Sequence, residues 1–298
     1  MKEVVTAASL SDAVRQARCA GRSVGLVPTM GYLHVGHLRL AARARAENDL
    51  VVMSVFVNPT QFGPNEDFER YPRDLERDRR LAAAAGVDLL FTPDLETIYP
   101  GGPEAQAVWV EPGPLAEHLC GASRPGHFRG VATVVAKLLN LVQPDRAYFG
   151  QKDAQQAIIL TRMARDLAFP VEVRVVETVR EPDGLALSSR NVYLSAAERA
   201  QAIVLHRALQ LARSMVEAGE RDAQVLEGGM RRCIAEAAPL ARIDYVTVAD
   251  LQTLRPVRGA LTGDALIALA VYFGPTRLID NEVVSLSSPV SSTRPQGR

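Results

Sequence analysis

The chain has 298 residues, 47% of them hydrophobic and 23% charged, which suits a soluble globular protein of one large or two modest domains. Lys plus Arg and Asp plus Glu both total 34, so no global charge draws the chain to nucleic acid or to an anionic membrane. Cys19, Cys120 and Cys233 are scattered and form no CxxC, no apolar run reaches membrane-spanning length, and the opening MKEVVTAASLSDAV lacks the apolar core of a signal peptide. Together these features argue against a disulfide framework, a structural zinc site or a membrane protein, and a reducing cytoplasm is expected.

Short apolar runs alternate with helical patterns through the first half. Residues 24–27, 50–57, 87–91, 146–149 and 171–176 read as strands, nearly continuous in apolar character as expected for a parallel sheet buried on both faces. Helical patterns fall at residues 10–20, 38–46, 73–85, 131–141 and 153–168, with Gly86 and Pro170 as stops. This alternation predicts an α/β fold: a doubly wound, Rossmann-like parallel sheet over residues 1–180. Glu181-Pro182-Asp183-Gly184 then marks a turn. Ser195 and Glu198 form a capping box for a helix over 196–218, a second helix covers 223–237, and strands are expected at 243–248, 265–272 and 277–280. Residues 181–284 thus read as a smaller α+β domain, and residues 285–298, rich in Ser and Pro, as a disordered tail.

Five segments carry polar groups at strand ends or in loops, where an open α/β sheet binds its ligands. In PTMGYLHVGH, His34 and His37 lie three residues apart at a strand-to-helix junction, on one helix face, with Gly36 between them. A helix start offers free N–H groups and a positive dipole end to a phosphate. A metal site is the other reading of a histidine pair, but no H-E-x-x-H or cysteine cluster supports it. In YFGQKDAQQ, Lys152 sits at a helix start against the dipole preference, which favours an anionic ligand nearby. LSSRN offers two hydroxyls and a guanidinium, suited to phosphate oxygens. FVNPTQF offers Asn58 and Gln61 as neutral donors and acceptors, although Asn58 before Pro59 also reads as a turn former. RPGHFRG places Arg124, His127 and Arg129 in a glycine-punctuated loop that could bind a carboxylate or simply be solvated. Neither a Walker-type phosphate loop nor a G-x-G-x-x-G fingerprint is present.

With these five segments in order, the chain resembles the pantothenate synthetase (pantoate–β-alanine ligase) family, within the nucleotidyltransferases marked by a His-x-Gly-His signature. The likeness runs from Pro28 to Asn191 and continues weakly beyond. It departs at Val35, where the family is often acidic, and at Leu187, where it often has methionine. Leucine keeps the size of methionine, so a packing role beside adenine survives.

The resemblance implies a two-step ligase: ATP and pantoate give pantoyl adenylate and pyrophosphate, and the amine of β-alanine then displaces AMP. It implies that His34, His37, Lys152, Ser188, Ser189 and Arg190 stabilise the phosphate charge. Met30, Gly36, Gly150, Lys152, Asp153 and Leu187 would cradle the nucleotide, with Asp153 on the ribose. Gln61 and Gln156 would hold pantoate; Asn58, Arg124 and His127 are candidates for β-alanine. Mg2+ would accompany ATP, with Asp78 as the candidate acidic ligand. The smaller domain would close as a lid, and a homodimer without nucleic-acid or membrane partners is implied. Two rivals stay open: a related nucleotidyltransferase acting on a phosphorylated alcohol, which would not need the two glutamines, and a non-catalytic nucleotide-binding regulator, which would not need the full donor set.

Overall fold

The apolar runs of the first half become strands of one parallel sheet in the computed structural model, which describes residues 1–64 and 66–286. The strands are β1 (Lys2–Val4), β2 (Val24–Thr29), β3 (Leu50–Val55), β4 (Leu89–Phe91), β5 (Arg146–Gly150) and β6 (Glu172–Val176), in the order β1-β4-β3-β2-β5-β6. Helices α1 (Ala7–Cys19), α2 (Val35–Glu47), α3 (Leu75–Ala84), α4 (Leu95–Ile98), α5 (Cys120–Ser123), α6 (His127–Val142) and α7 (Ala154–Asp166) connect them. Leu10 and Val14 of α1, Val131 and Leu138 of α6 and Leu160 of α7 pack with Leu26, Val52 and Phe91 on one face. Leu40 and Ala44 of α2 and Ala82 of α3 pack with Val27, Met53 and Leu90 on the other. Alternate residues of each inner strand therefore serve opposite layers, which is why those strands read as unbroken apolar runs.

The sheet order reverses between β2 and β5. These two neighbours are in register only at Gly25 with Arg146 and Leu26 with Ala147. Their carboxyl ends run on without pairing to each other, and this is the crevice where a doubly wound fold places its ligand.

Several expected boundaries shift. β1 was too short to show a pattern in the sequence; it pairs with β4 at the sheet edge. The strand expected at 171–176 is the opposite edge, and Val175 is exposed rather than buried. The helix expected from residue 131 begins at His127, capped by Gly126, so the loop containing Arg124 ends earlier than its glycines suggest.

The second half builds a three-stranded antiparallel sheet of β7 (Ala241–Asp250), β8 (Ala265–Phe273) and β9 (Thr276–Val284), in the order β7-β8-β9. The Ser195–Glu198 capping box forms, but the helix it starts is divided into α8 (Ala196–Ala202) and α9 (Val204–Glu217) at Ile203, where ψ tightens to −17° as Val204 and Leu205 turn into the core. Helix α10 (Ala223–Ala237) completes the layer, with Leu226 and Met230 packed beside Ile267 and Leu269 of β8. On the other face of β8, Leu266 and Ala268 meet Leu119 and Ala154 of the first half. Residues 287–298 of the expected tail lie outside the described residues. Among the described residues, no helix is long and apolar enough to cross a membrane.

Candidate active site

The turn after β2 is shaped by a buried carboxylate. Asp78 of α3 is 1% exposed, and its two oxygens accept the backbone N–H groups of Leu33 (2.7 Å) and Tyr32 (2.8 Å). Burial raises its carboxyl pKa, the two backbone bonds opposing. Both oxygens thus support the histidine turn from behind, and Asp78, expected as a metal ligand, is not among the residues that line either cavity of the site.

His34 is not on the helix face beside His37, as the spacing suggested. It is the N-cap of α2, its Nδ1 accepting from Gly36 N at 3.2 Å, while His37 Nδ1 accepts from His34 N at 3.2 Å. The two imidazoles form a capping box, their ring centroids 4.0 Å apart. A side chain on Gly36 would put a Cβ 2.9 Å from the His34 ring. Each Nδ1 receives a backbone proton, so each neutral ring carries its own proton on Nε2. Burial, then the Lys152 charge, lowers the His34 pKa to about 4. Burial, then His34 and Lys152, lowers that of His37 well below the usual value. At neutral pH the pair is therefore two uncharged donors, and neither Nε2 has a protein acceptor among the described residues.

Across the crevice, Gly150 ends β5 and a single 3-10 turn, Gln151–Asp153, carries Lys152. A Cβ on Gly150 would meet no atom within 4 Å, so the missing side chain keeps the space open. Lys152 Nζ lies 3.5 Å from Asp153 Oδ1. Above them, Ser188 caps the 3-10 helix Ser189–Tyr193 through Arg190 N, and Ser189 Oγ lies 3.2 Å from the hydroxyl of buried Tyr71. Leu187 lines the same cavity.

The 3-10 helix after β3, Pro59–Gln61, presents Gln61, whose Nε2 reaches Met30 Sδ at 3.1 Å. Asn58 proves to be a turn former. Its Nδ2 donates to Gln61 Oε1 (3.1 Å) and Gly130 O (3.2 Å), and its Oδ1 accepts from the Tyr99 hydroxyl (2.9 Å) and Thr60 Oγ1 (3.0 Å). With every polar atom engaged, Asn58 holds Gln61 and has no free group for a substrate. His127 Nδ1 donates to Gln61 O at 2.7 Å, which leaves Nε2 to accept from Arg124 Nη1 at 2.9 Å. Burial, then Arg124, lowers its pKa to about 3. His127 is thus a fixed neutral bridge between Arg124 and Gln61.

These groups line two adjoining cavities of about 230 and 540 Å3. The smaller contains His34, His37, Met30 and Gln61; the larger extends under β8 and β9 to Tyr245. Lys152, Asp153, Gln156, Ser188 and Arg190 line both. Three participants gave no signal in the sequence. Glu66 and Asp67 bind Arg124 and Arg190, and Tyr71 meets Ser189, yet the acid- and arginine-rich stretch that holds them reads as a solvated loop.

A doubly wound α/β sheet with anion donors and amide side chains gathered at its switch point defines a nucleotide-dependent enzyme class rather than a structural module. The family model described as pantoate-β-alanine ligase matches residues 2–283. The pantothenate synthetase of Moorella thermoacetica is 58% identical over 287 residues, covering 96% of this chain and all of that one. The crystal structure of pantothenate synthetase from Thermus thermophilus superposes with a TM-score of 0.87 at 53% identity, covering 95% of this chain and 99% of that one. A pantoate-β-alanine ligase from Francisella tularensis, complexed with beta-gamma ATP and β-alanine, gives 0.76 at 33% identity, covering 95% and 97%. The chain belongs to the pantoate–β-alanine ligase family, and its activity is the ATP-dependent joining of pantoate to β-alanine.

Proposed function

We propose that the reaction runs through pantoyl adenylate, formed where β2 and β5 separate. The pantoate carboxylate attacks the α-phosphorus of ATP, forming the acyl phosphate bond as the bond to pyrophosphate breaks. The amine of β-alanine then attacks the acyl carbon, AMP leaves, and the new amide sheds a proton. Both nucleophiles belong to substrates, so the protein's task is positioning and charge stabilisation.

The observation that carries this reading is the pair of neutral Nε2–H donors on His34 and His37 at the start of α2, across the crevice from Lys152. In this reading they act on the phosphates with Ser188, Ser189 and Arg190. Gly36, Gly150 and Leu187 shape the nucleotide space, Asp153 meets the ribose, and Met30, Gln61 and Gln156 receive pantoate. Arg124, braced by His127, is the remaining candidate for the β-alanine carboxylate, which would have to compete with Glu66 for its guanidinium fork. Among the described residues no cluster of three or more His, Cys, Asp or Glu is arranged to hold a metal. Mg2+ enters in this reading as part of MgATP, held mainly by phosphate oxygens. We further propose a cytoplasmic homodimer in which residues 181–284 close over residues 1–180 as a lid and exclude water from the adenylate.

A staged assay tests the core of this. ATP and pantoate alone should release pyrophosphate, and later addition of β-alanine should release AMP and pantothenate. Absence of pyrophosphate until β-alanine is added would overturn the adenylate route.

A further inference from the structure

Asn281 belongs to β9, in the second sheet, yet its side chain ends on the turn that carries Lys152. It is 6% exposed. Its Nδ2 donates to Lys152 O at 2.8 Å and to Gln151 O at 3.0 Å, and its Oδ1 accepts from Gln151 Nε2 at 2.9 Å. Both amide hydrogens are thereby used, and the oxygen has a partner, so the side chain has no donor left for a ligand although it borders the larger cavity.

The turn needs such a hold. It is a single 3-10 turn, its N-cap Gly150 supplies no side-chain bond, and the first turn of α7 has no side-chain cap from Asp153 either. The neighbouring residue on β9 works on the other catalytic segment. Asp280 accepts two bonds from Arg180 (2.6 and 3.0 Å), and Arg180 also donates to Gly184 O at 3.1 Å, just upstream of residues 187–190. One strand thus sets the reference position of both segments that face the phosphate space.

We propose that Asn281 is a positioning residue for Lys152, coupling the second sheet to the first chemical step. This rests on the reading of Lys152 as a phosphate donor. Loss of the clamp should let the turn shift, and a 1 Å misplacement of a catalytic group can cost on the order of 100-fold in rate.

The test is a double-mutant cycle on pantoate-dependent pyrophosphate release by the full chain, using Asn281→Ala, Lys152→Ala and the double variant. Asn281→Ala should lower kcat about 10- to 100-fold, change the KM for pantoate less than about twofold, and have almost no further effect in the Lys152→Ala background. Equal losses in both backgrounds, or a wild-type kcat in Asn281→Ala, would overturn the positioning role. Wild-type turnover in Lys152→Ala would instead remove the reading of Lys152 itself. If Asn281→Ala unfolds, the milder Asn281→Ser enters the same cycle and is judged by the same criteria. Hydrogen exchange read on the peptide covering residues 150–156 should rise in the Asn281 variant; unchanged protection there would also overturn the clamp.

Discussion

Asp67 holds Arg190 by two charge-assisted hydrogen bonds, Nε to Oδ2 at 2.9 Å and Nη2 to Oδ1 at 2.8 Å. The preceding residue does the same to Arg124: Glu66 accepts from Nε at 2.6 Å and from Nη2 at 2.7 Å. Burial opposes the charge on each acid, and the arginine contact outweighs it, so both carboxyls titrate below their usual values. Adjacent acids therefore occupy the two guanidinium forks that face the cavities, with the bidentate geometry that a phosphate or carboxylate ligand would use.

Replacing Asp67 with Asn keeps the shape and removes the competing charge. The KM for ATP should fall about threefold to tenfold at low salt, and the difference should shrink at high salt, where the screening length drops to a few ångströms. Steady-state kinetics at two ionic strengths read this directly. A rise in KM would mean that Asp67 serves to orient Arg190 for the nucleotide instead of competing for it.

The donor role proposed for the histidine turn has a defined size. Removing one preorganised donor costs about 3 kcal/mol, or roughly two orders of magnitude in rate. His37→Ala should lower kcat for pyrophosphate release by about that factor while leaving the thermal midpoint within a few degrees. Near-wild-type kcat would exclude His37 from the first step.

The buried imidazoles of His34 and His127 set an acid limit to stability. His34 titrates at about 4 and His127 at about 3, both depressed from 6.5. Between those values the unfolded chain takes up protons that the folded chain refuses, so stability is fully present above about pH 6.5 and falls as pH drops toward the folded values. Urea midpoints should decline from about pH 6.5 to 5, before most carboxylates protonate, and His127→Gln should flatten the slope. An unchanged slope in that variant would show that His127 is charged in the folded protein.

The first half of the fold was legible because each inner strand is apolar on both faces and the helices between them keep a 3.6-residue period. β1 escaped because three residues carry no period, and Ile203 escaped because nothing in its local sequence breaks a helix. The cavity was legible for a different reason. The sheet order brings the ends of β2, β3 and β5 together, so residues at predicted strand ends converge without any further information. Partners within the site were not legible. The acids that bind Arg124 and Arg190 lie 58 and 123 residues away in sequence, and the division of labour between Gln61 and Asn58 depends on Tyr99 and Gly130.

Asp78 separates a structural role from a metal role. Asp78→Asn would turn an amide N–H toward one of two backbone donors, leaving a buried donor pair without an acceptor at a cost of about 1–3 kcal/mol. The thermal midpoint should fall by several degrees and kcat should drop as the histidine turn loosens, while the Mg2+ concentration for half-maximal activity stays within about twofold. A tenfold or larger shift in that Mg2+ requirement would restore Asp78 as a metal ligand.

Gly130, at an interior position of α6, fixes the backbone that carries Gln61. A Cβ there would fall 2.3 Å from Thr60 O and 2.7 Å from Gln61 N, both backbone atoms that cannot swing aside. The glycine lets α6 lie against the 3-10 helix Pro59–Gln61, and its own carbonyl receives Asn58 Nδ2. Gly130→Ala would improve helix propensity by up to about 1 kcal/mol, but overpacking against fixed backbone costs about 1–3 kcal/mol or more, so the balance is destabilising. Because the displaced segment carries Gln61, proposed above to receive pantoate, relief of the clash should raise the KM for pantoate at least about tenfold and the KM for ATP less. Parallel KM measurements for the two substrates check this split. An equal rise in both would place the damage in the general fold rather than at Gln61.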